Sequence, residues 1–248
     1  MNSTINLGFE PDDTILVTGA AHGIGRAVAA HAAEIGLAVS AWDIDAEGLD
    51  ALADEVRAAG GRIHLHVGNA LDASVIREGV AGARTALGQI SHVVHTASPS
   101  STSPLTFDEA VTTCIGGVRQ LTEEWLASGA PKHASTVVIV SVAGTHFATA
   151  NPWYSAAKAG LAGYVRHLAG FRADEVRPNA IAPGLVDTPR LADFAKSELG
   201  RQIVSRNPLG RLGTPDELAW ATLFLLSPLA SYINGTVLTV DGGWTLAQ

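Results

Sequence analysis

Short stretches of residues that favour β-strands alternate along this chain with longer Ala-rich stretches of helical periodicity. The strand-like stretches span residues 14–18, 38–42, 62–67, 92–95, 136–141 and 236–240. Most of these stretches are nearly continuously apolar, which is typical of strands in a parallel sheet covered by helices on both faces. The alternation predicts an α/β fold with a doubly wound parallel sheet, a Rossmann fold, whose ligands bind at the carboxyl ends of the strands.

The length and composition favour a single domain over residues 1–248. With 47% hydrophobic and 16% charged residues, the chain falls outside the disordered class, and we expect it to hide surface between the subunits of a homo-oligomer. The 24 acidic and 16 basic residues give a net charge of -8, and the basic residues are spread along the chain. Nucleic acid is therefore not an expected partner.

Cysteine content and the length of the apolar runs indicate a cytoplasmic protein. The single cysteine, Cys114, cannot form an internal disulfide, and residues 1–4 lack the basic and apolar regions of a signal peptide. The longest apolar runs, such as residues 220–226, are far shorter than the roughly 20 residues that a membrane helix needs. We therefore expect no membrane partner.

A glycine-rich turn, residues 18–25 (Thr-Gly-Ala-Ala-His-Gly-Ile-Gly), lies between the first predicted strand and an Ala-rich helix. Glycines in this position let backbone N–H groups approach a pyrophosphate, and the helix N-terminus adds partial positive charge. An ordinary turn is the alternative, but the order strand, turn, helix favours a dinucleotide site. The candidate cofactor-binding residues in this turn are Gly19, Ala21, His22, Gly23, Ile24 and Gly25.

Asp43, at the end of the second predicted strand, is the candidate ligand of the adenosine ribose. A carboxylate there accepts hydrogen bonds from the ribose diol and repels the extra phosphate of NADP. No Arg or Lys follows directly, so the sequence predicts NAD as the cofactor. The alternative is that Asp43 only caps the helix starting near Ala46, although Asp45 is better placed for that task.

Tyr154 and Lys158 are the candidate catalytic pair, one helical turn apart within residues 152–160. A free phenol has a pKa near 10, so its use at neutral pH requires nearby positive charge. We expect Lys158 and an oxidised nicotinamide to lower the pKa of Tyr154. Ser141, at the end of the fifth predicted strand, is placed to hold a substrate oxygen.

Together these motifs resemble the short-chain dehydrogenase/reductase family. The match covers nearly the whole chain and includes residues 179–188 (Asn-Ala-Ile-Ala-Pro-Gly-Leu-Val-Asp-Thr) and 235–243 (Gly-Thr-Val-Leu-Thr-Val-Asp-Gly-Gly), all in family order. The resemblance implies that Lys158 also binds the nicotinamide ribose and that Val186 and Thr188 meet the carboxamide. It also implies a homotetramer, with the C-terminal strand at an interface.

The chain departs from this family at three places. Cys114 stands where the family usually has an Asn thought to hold a water that links the Lys to solvent. The Asn-Asn-Ala-Gly of the family appears as residues 95–98, His-Thr-Ala-Ser, in which only Ala97 is kept as a cofactor-binding candidate. The acidic residue expected near the adenine is replaced by Gly68, and Asn69 after it is the candidate contact to the base.

Aromatic residues between Ser141 and Tyr154 indicate an apolar or ring-bearing substrate, although core packing explains them about as well. The candidate pocket residues are His146, Phe147 and Trp153. Residues 98–104 and 182–213 look irregular, and we expect residues 185–213 to form a substrate-covering segment. Arg190 and Arg206 within it are potential ligands for a substrate anion, or ordinary exposed arginines.

The sequence therefore predicts an oxidoreductase that interconverts a secondary alcohol and a ketone by hydride transfer with NAD(H). One alternative is an NAD-binding sensor or scaffold with weak catalysis, and another is an NAD-retaining epimerase or dehydratase. His64 and His66 face the same way on a predicted strand, but no third ligand is evident, so no metal is expected.

Overall fold

The computed structural model describes residues 5–100 and 103–247, so residues 1–4, 101–102 and 248 of the segments discussed above lie outside the described part. The described chain contains a seven-stranded parallel sheet in the order β3-β2-β1-β4-β5-β6-β7. The strands are β1 (Thr14–Thr18), β2 (Ala38–Asp43), β3 (Ile63–Val67), β4 (His92–His95), β5 (Ser135–Ile139), β6 (Arg177–Pro183) and β7 (Val237–Val240). The order reverses between β1 and β4, which confirms the doubly wound prediction and places the ligand crevice at that reversal.

Nine α-helices within the described residues connect and cover the strands. They are α1 (Gly23–Glu34), α2 (Ala46–Ala58), α3 (Ala73–Leu87), α4 (Phe107–Ala127), α5 (Val142–Thr145), α6 (Pro152–Phe171), α7 (Ala192–Lys196), α8 (Glu198–Ser205) and α9 (Pro215–Leu226). Three short 3-10 helices span Pro189–Leu191, Pro228–Ala230 and Trp244–Leu246. None of the helices in this part of the chain is long and apolar enough to cross a membrane.

The two faces of the sheet bury different helices. Ile15 of β1 belongs to the same buried cluster as residues of α1, α2 and α9, whereas the next residue, Leu16, packs with α3 and α4. Successive side chains of a strand point to opposite faces, so a central strand covered on both sides is apolar throughout. This explains the continuous apolar runs in the sequence.

Helix α9 lies directly against α1. His31 of α1 contacts Asp216 of α9 through Nε2 and Oδ1 at 2.7 Å, across 185 residues of sequence. The same histidine ring packs on Trp220, with ring centroids 4.4 Å apart. Helix α1, near the start of the chain, is thus covered by α9, near its end.

Strand β6 is absent from the sequence-based prediction. The segment carries proline at both ends, and proline cannot donate to a strand ladder, so it reads as irregular. The structure nevertheless pairs it with β5 and β7, and Arg177 at its start donates to carbonyls near the end of α9, including Leu225 O at 2.7 Å and Leu226 O at 2.8 Å. The prediction of irregular structure over 182–213 is also wrong where β6 ends and where α7 and α8 form.

Candidate active site

The glycine-rich turn joins β1 to α1 at the point where the strand order reverses. Gly19 has a φ of +70°, and a Cβ built on it would lie 3.1 Å from the backbone nitrogen of Ala97. A Cβ on Gly25 would lie 2.1 Å from the carbonyl oxygen of Gly19, far inside any real contact distance. The turn therefore requires glycine at both positions to keep its backbone closely packed.

The residues between these glycines line the start of α1. His22 is the N-cap residue, and its Nε2 lies 2.6 Å from Asp45 Oδ2. A Cβ on Gly23 would lie 3.1 Å from Cγ2 of Thr188, so Thr188 covers the turn. The other candidate residues here are Ala21, which is buried, and Ile24, which packs against the core beside it.

The Asp43 carboxylate lies beside the turn, at the end of β2. Its Oδ2 accepts a hydrogen bond from the backbone of Ala21 at 3.0 Å, and its Oδ1 accepts one from the backbone of Asp45 at 3.1 Å. Asp45 is the N-cap of α2 and accepts from Gly48 at 3.2 Å. The capping alternative for Asp43 is therefore wrong, and its partly exposed carboxylate keeps acceptor capacity at the sheet edge.

The loops after β3 and β4 complete this edge. Asn69 is exposed, and its Oδ1 accepts from the backbone of Leu71 at 3.1 Å. Thr18 Oγ1 accepts from the backbone nitrogens of Thr96 and Ala97, each at 3.1 Å, which holds Ala97 against the turn. Thr18 begins the predicted turn but was not among its candidate cofactor-binding residues, because a threonine at a strand end carries no distinctive pattern of its own.

These residues fit a nicotinamide dinucleotide. The close-packed glycines leave the N-terminus of α1 accessible to a pyrophosphate, and Asp43 lies one strand away for a ribose. Thr96 Oγ1 is buried without a hydrogen-bond partner among the described residues, at the predicted ligand edge. Val186 is buried and pairs with Gly213 in a parallel bridge, next to Thr188 over the turn.

The catalytic candidates converge at the carboxyl end of β5. Ser141 lies two residues beyond the strand and caps α5, its Oγ accepting from the backbone of Ala143 at 3.1 Å. The predicted strand end at residue 141 is therefore two residues too long. Tyr154 and Lys158 both lie on α6, as the helical spacing predicts.

Lys158 is almost completely buried, with 5% of its surface exposed. Its Nζ donates to the carbonyl oxygen of Ile139 at 2.9 Å and lies 5.7 Å from the centroid of the Tyr154 ring. Burial lowers the pKa of Lys158 to about 8. The amino group is therefore held near the Tyr154 ring in a poorly solvated position.

Burial raises the pKa of Tyr154, while hydrogen bonding with Ser141 and the positive charge of Arg190 oppose the rise. We expected a lowered pKa from Lys158 together with oxidised nicotinamide. The groups of the protein alone give the opposite direction, because removing the phenolate from water outweighs its favourable neighbours.

Cys114 of α4 is buried beneath the catalytic helix and packs with Trp153 and Ala157. Burial raises the pKa of its thiol, opposed by the charge of Lys158 and by hydrogen bonding with Ser98. The thiol therefore stands close to Lys158, in the position that the resemblance gives to the relay Asn. A neutral thiol is a weak donor and acceptor and is poorly suited to hold a water.

Cys114→Asn is expected to lower the melting temperature and to leave kcat equal or reduced. Asn is larger and more polar than the thiol, and overpacking a filled position typically costs about 1–3 kcal/mol. Thermal unfolding measures the change in melting temperature, and kcat as a function of pH measures the change in turnover. Cys114→Ser, whose side chain is close in size to that of cysteine, is the control. A clear gain in kcat with a shifted pH profile in the Asn variant would instead reveal a proton relay through this position.

The three pocket candidates lie in different surroundings. His146 is exposed, and Phe147 packs edge-on against Trp244 with centroids 5.0 Å apart. Trp153 is 4% exposed, and its contacts with Cys114 and Ala157 account for it as a core residue. Trp244 was not identified as a pocket residue from the sequence, because a single aromatic residue after 241–243 has no motif that marks it.

The paired histidines of β3 are held by protein groups. His64 Nδ1 lies 3.1 Å from Ser40 Oγ, and His66 Nε2 lies 3.0 Å from the carbonyl oxygen of Val75. Across residues 5–100 and 103–247, no cluster of three or more His, Cys, Asp or Glu side chains is arranged to hold a metal ion.

The sequence over residues 19–245 matches the protein family described as enoyl-(acyl carrier protein) reductase. This chain belongs to the short-chain dehydrogenase/reductase family. It is therefore an oxidoreductase of a family that binds a nicotinamide cofactor, NAD or NADP. The motif-based resemblance is confirmed at the level of the family.

Two relatives of this short-chain dehydrogenase/reductase act on different substrates. The 3-oxoacyl-[acyl-carrier-protein] reductase of Thermotoga maritima is 33% identical, over 92% of this chain and 96% of that protein. The cis-4-hydroxycyclohexanecarboxylate dehydrogenase of Sinomonas cyclohexanicum is 34% identical, over 93% of this chain and 95% of that protein.

Solved structures of the family superpose closely. A short-chain dehydrogenase/reductase of the glucose/ribitol dehydrogenase type from Brucella melitensis has a TM-score of 0.88 and 30% identity, covering 97% of this chain and 99% of that one. A short-chain dehydrogenase from Burkholderia cenocepacia in complex with NADP has a TM-score of 0.85 and 27% identity, covering 94% and 98%.

Proposed function

We propose that this chain interconverts a secondary alcohol and a ketone, with NAD(H) as the redox partner. The observation that carries the proposal is the juxtaposition at the end of β5 of Ser141, Tyr154 and the buried Lys158, next to a glycine turn suited to a dinucleotide. Secondary alcohol oxidation needs a base for the hydroxyl proton and an acceptor for the hydride.

The side chains divide this task between them. The Tyr154 hydroxyl takes the proton from the alcohol, or returns it to the ketone oxygen in reduction. The Ser141 hydroxyl holds the substrate oxygen, and the Lys158 ammonium stabilises the phenolate. Lys158 is already held by the Ile139 carbonyl at 2.9 Å, so its position is set before substrate binds.

The cofactor, when bound, supplies the hydride acceptor or donor. The glycine turn and the N-terminus of α1 would hold its pyrophosphate, Asp43 its adenosine ribose, and Asn69 its adenine. Lys158 would hold the nicotinamide ribose, and Ala97, Val186 and Thr188 would line the nicotinamide end.

The preference for NAD over NADP rests on Asp43. The carboxylate beside the turn is a charged acceptor for a ribose diol and would repel a ribose phosphate. The Burkholderia cenocepacia enzyme was solved with NADP, so the fold also accommodates that cofactor. In this chain the hydrogen bonds to the Asp43 carboxylate come from the backbone nitrogens of Ala21 and Asp45.

Asp43→Ala is expected to weaken NAD binding by about 10–150-fold, because a charged hydrogen-bond acceptor worth roughly 1.5–3 kcal/mol is lost. NADP binding should change much less, because the repulsion between the carboxylate and the ribose phosphate is removed as well. Steady-state kinetics with both cofactors measure the ratio of kcat/KM for NAD to that for NADP. Asp45→Asn, which changes the adjacent carboxylate, is the control and should leave this ratio unchanged. A wild-type protein that already prefers NADP would contradict the assignment.

We further propose an apolar, ring-bearing substrate. Phe147 and Trp244 form an aromatic pair that packs against the buried cluster containing Val140 and Val142, on either side of Ser141 in the sequence, and residues 185–213 would cover it. The relative from Sinomonas cyclohexanicum acts on a cyclohexane ring. The homotetramer expected from the resemblance also stays a proposal, supported by exposed apolar side chains near the C-terminal strand, including Leu229, Tyr232 and Leu238.

A panel of secondary alcohols and ketones, assayed with NAD(H) and NADP(H), tests the function. Turnover with NAD supports the proposal. Cofactor binding without turnover across the panel would favour the sensor or scaffold, and product formation without net NAD consumption would favour an epimerase or dehydratase. The panel includes a 3-oxoacyl thioester, because the Thermotoga maritima relative is a 3-oxoacyl-[acyl-carrier-protein] reductase. Preference for that thioester with NADPH would replace our proposal with the reductase activity.

A further inference from the structure

Arg190 stands at the edge of the catalytic site, and no acidic residue in the described part of the chain forms an ion pair with it. It lies in the 3-10 helix Pro189–Leu191, two residues after Thr188, which covers the glycine turn. Its Nη2 donates to the carbonyl oxygen of Ser98 at 3.2 Å, across the ligand crevice from its own segment. Because Ser98 follows β4, this contact places the guanidinium at the carboxyl edge of the sheet.

The charge of Arg190 reaches the catalytic pair. It is close enough to lower the pKa of both Tyr154 and Lys158. Yet none of the ion pairs among the described residues involves Arg190, and its side chain is exposed. In a protein of net charge -8, the positive charge at this edge of the sheet, from exposed Arg190 and buried Lys158, is a local reversal of the overall charge.

The guanidinium also keeps unused donors. Arginine has five N–H groups, and Arg190 uses one of them in the hydrogen bond that it donates to Ser98 within the described residues. A planar fork with free donors matches a carboxylate, which it binds through two parallel hydrogen bonds. A carboxylate there would also offset the repulsion between Arg190 and Lys158.

We infer that Arg190 binds a carboxylate carried by the substrate, so that the preferred substrates are hydroxy acids and the corresponding oxo acids. This inference rests on the proposed alcohol and ketone chemistry and narrows its substrate class. The acid group lies on the part of the substrate away from the reacting carbon, because that carbon faces Tyr154 and Ser141. Arg190 is thus a specificity-determining residue of the site.

The test compares one ring alcohol with and without the acid group. 4-Hydroxycyclohexanecarboxylate and 4-methylcyclohexanol are assayed with the wild type, Arg190→Gln, Arg190→Lys and Arg206→Gln. Arg206, the other arginine considered from the sequence as an anion ligand, lies exposed at the end of α8. It is not among the charges that shift the pKa of Tyr154 or Lys158, so it serves as the matched control. The wild type should prefer the acid, and Arg190→Gln should lower the acid-to-neutral ratio of kcat/KM by about 10–100-fold.

The remaining variants sharpen the assignment. Arg190→Lys keeps the charge but loses the bidentate geometry, so its ratio should fall between those of the wild type and Arg190→Gln. Arg206→Gln should leave the ratio unchanged. An equal loss for both substrates in Arg190→Gln, or a wild type that prefers the neutral alcohol, would overturn the inference while leaving the proposed function intact.

Failure of the proposed function gives a different result. If no alcohol is turned over, calorimetry with cyclohexanecarboxylate and with cyclohexylmethanol still tests the anion site. Binding of the acid alone, lost in Arg190→Gln and kept in Arg206→Gln, supports Arg190 as a carboxylate ligand without the redox chemistry. Equal binding of the two probes, or none, overturns it.

Discussion

Tyr154→Phe is expected to lower kcat by about 10²–10⁴-fold, the usual range for loss of a general acid–base group. Only the phenolic oxygen is removed, so the ring keeps its edge-on contact with Trp153, whose centroid lies 5.9 Å away. The fall should appear in both directions of the reaction, because the same hydroxyl takes and returns the proton. NAD affinity, measured by fluorescence titration, should stay within about threefold of the wild type.

The same helix offers a matched control for this variant. Tyr164 lies on α6, ten residues beyond Tyr154, and packs against His167 with centroids 6.3 Å apart. Tyr164→Phe is therefore expected to leave kcat almost unchanged. A Tyr154→Phe enzyme with more than about a tenth of wild-type kcat would show that another group moves the proton.

The pH dependence of turnover should include the titration of Lys158 beside Tyr154. Burial lowers the pKa of Lys158 to about 8 and raises that of Tyr154, so the proton lost near pH 8 is that of the ammonium, and the phenol keeps its own proton past its ordinary range. Ketone reduction uses the protonated phenol, and its kcat/KM should fall above about pH 8, because the ammonium that stabilises the resulting phenolate is lost there. This falling limb of the reduction profile should therefore come from Lys158.

Lys158→Met tests which group sets this limb. Without the ammonium the Tyr154 phenolate loses a stabilising charge, so the rate at pH 7 should fall at least about 100-fold and the limb near pH 8 should disappear. The buried lysine has a lowered pKa in the folded state, so its charge destabilises the fold below pH 8. Lys158→Met should therefore melt at a higher temperature at pH 6. An unchanged limb in the variant would assign the titration to another group.

Local patterns predicted the parts of the site that depend on spacing within one element. Tyr154 and Lys158 share a face of α6 because they are four residues apart, and the glycines follow β1 because a strand must turn into a helix there. Asp43 was also recognisable, since its position relative to the turn follows from the βαβ unit.

Features that depend on distant segments were not predictable in this way. The prolines at the ends of β6 conceal a strand whose stability comes from β5 and β7. The direction of the Tyr154 pKa depends on how completely the surrounding chain excludes water, which no spacing encodes. The contact of Arg190 with Ser98 joins residues 92 positions apart.

The packing of α9 on α1 has a consequence for how the chain is made. The His31–Asp216 contact spans 185 residues, so the apolar face of α1 leaves the ribosome long before its cover exists. At translation rates of about 5–20 residues per second, that interval lasts roughly 10–40 s. Throughout that interval the face of α1 that later packs on α9 lacks its cover, and the packing of the helix behind the glycine-rich turn is complete only when α9 has been synthesised and has docked.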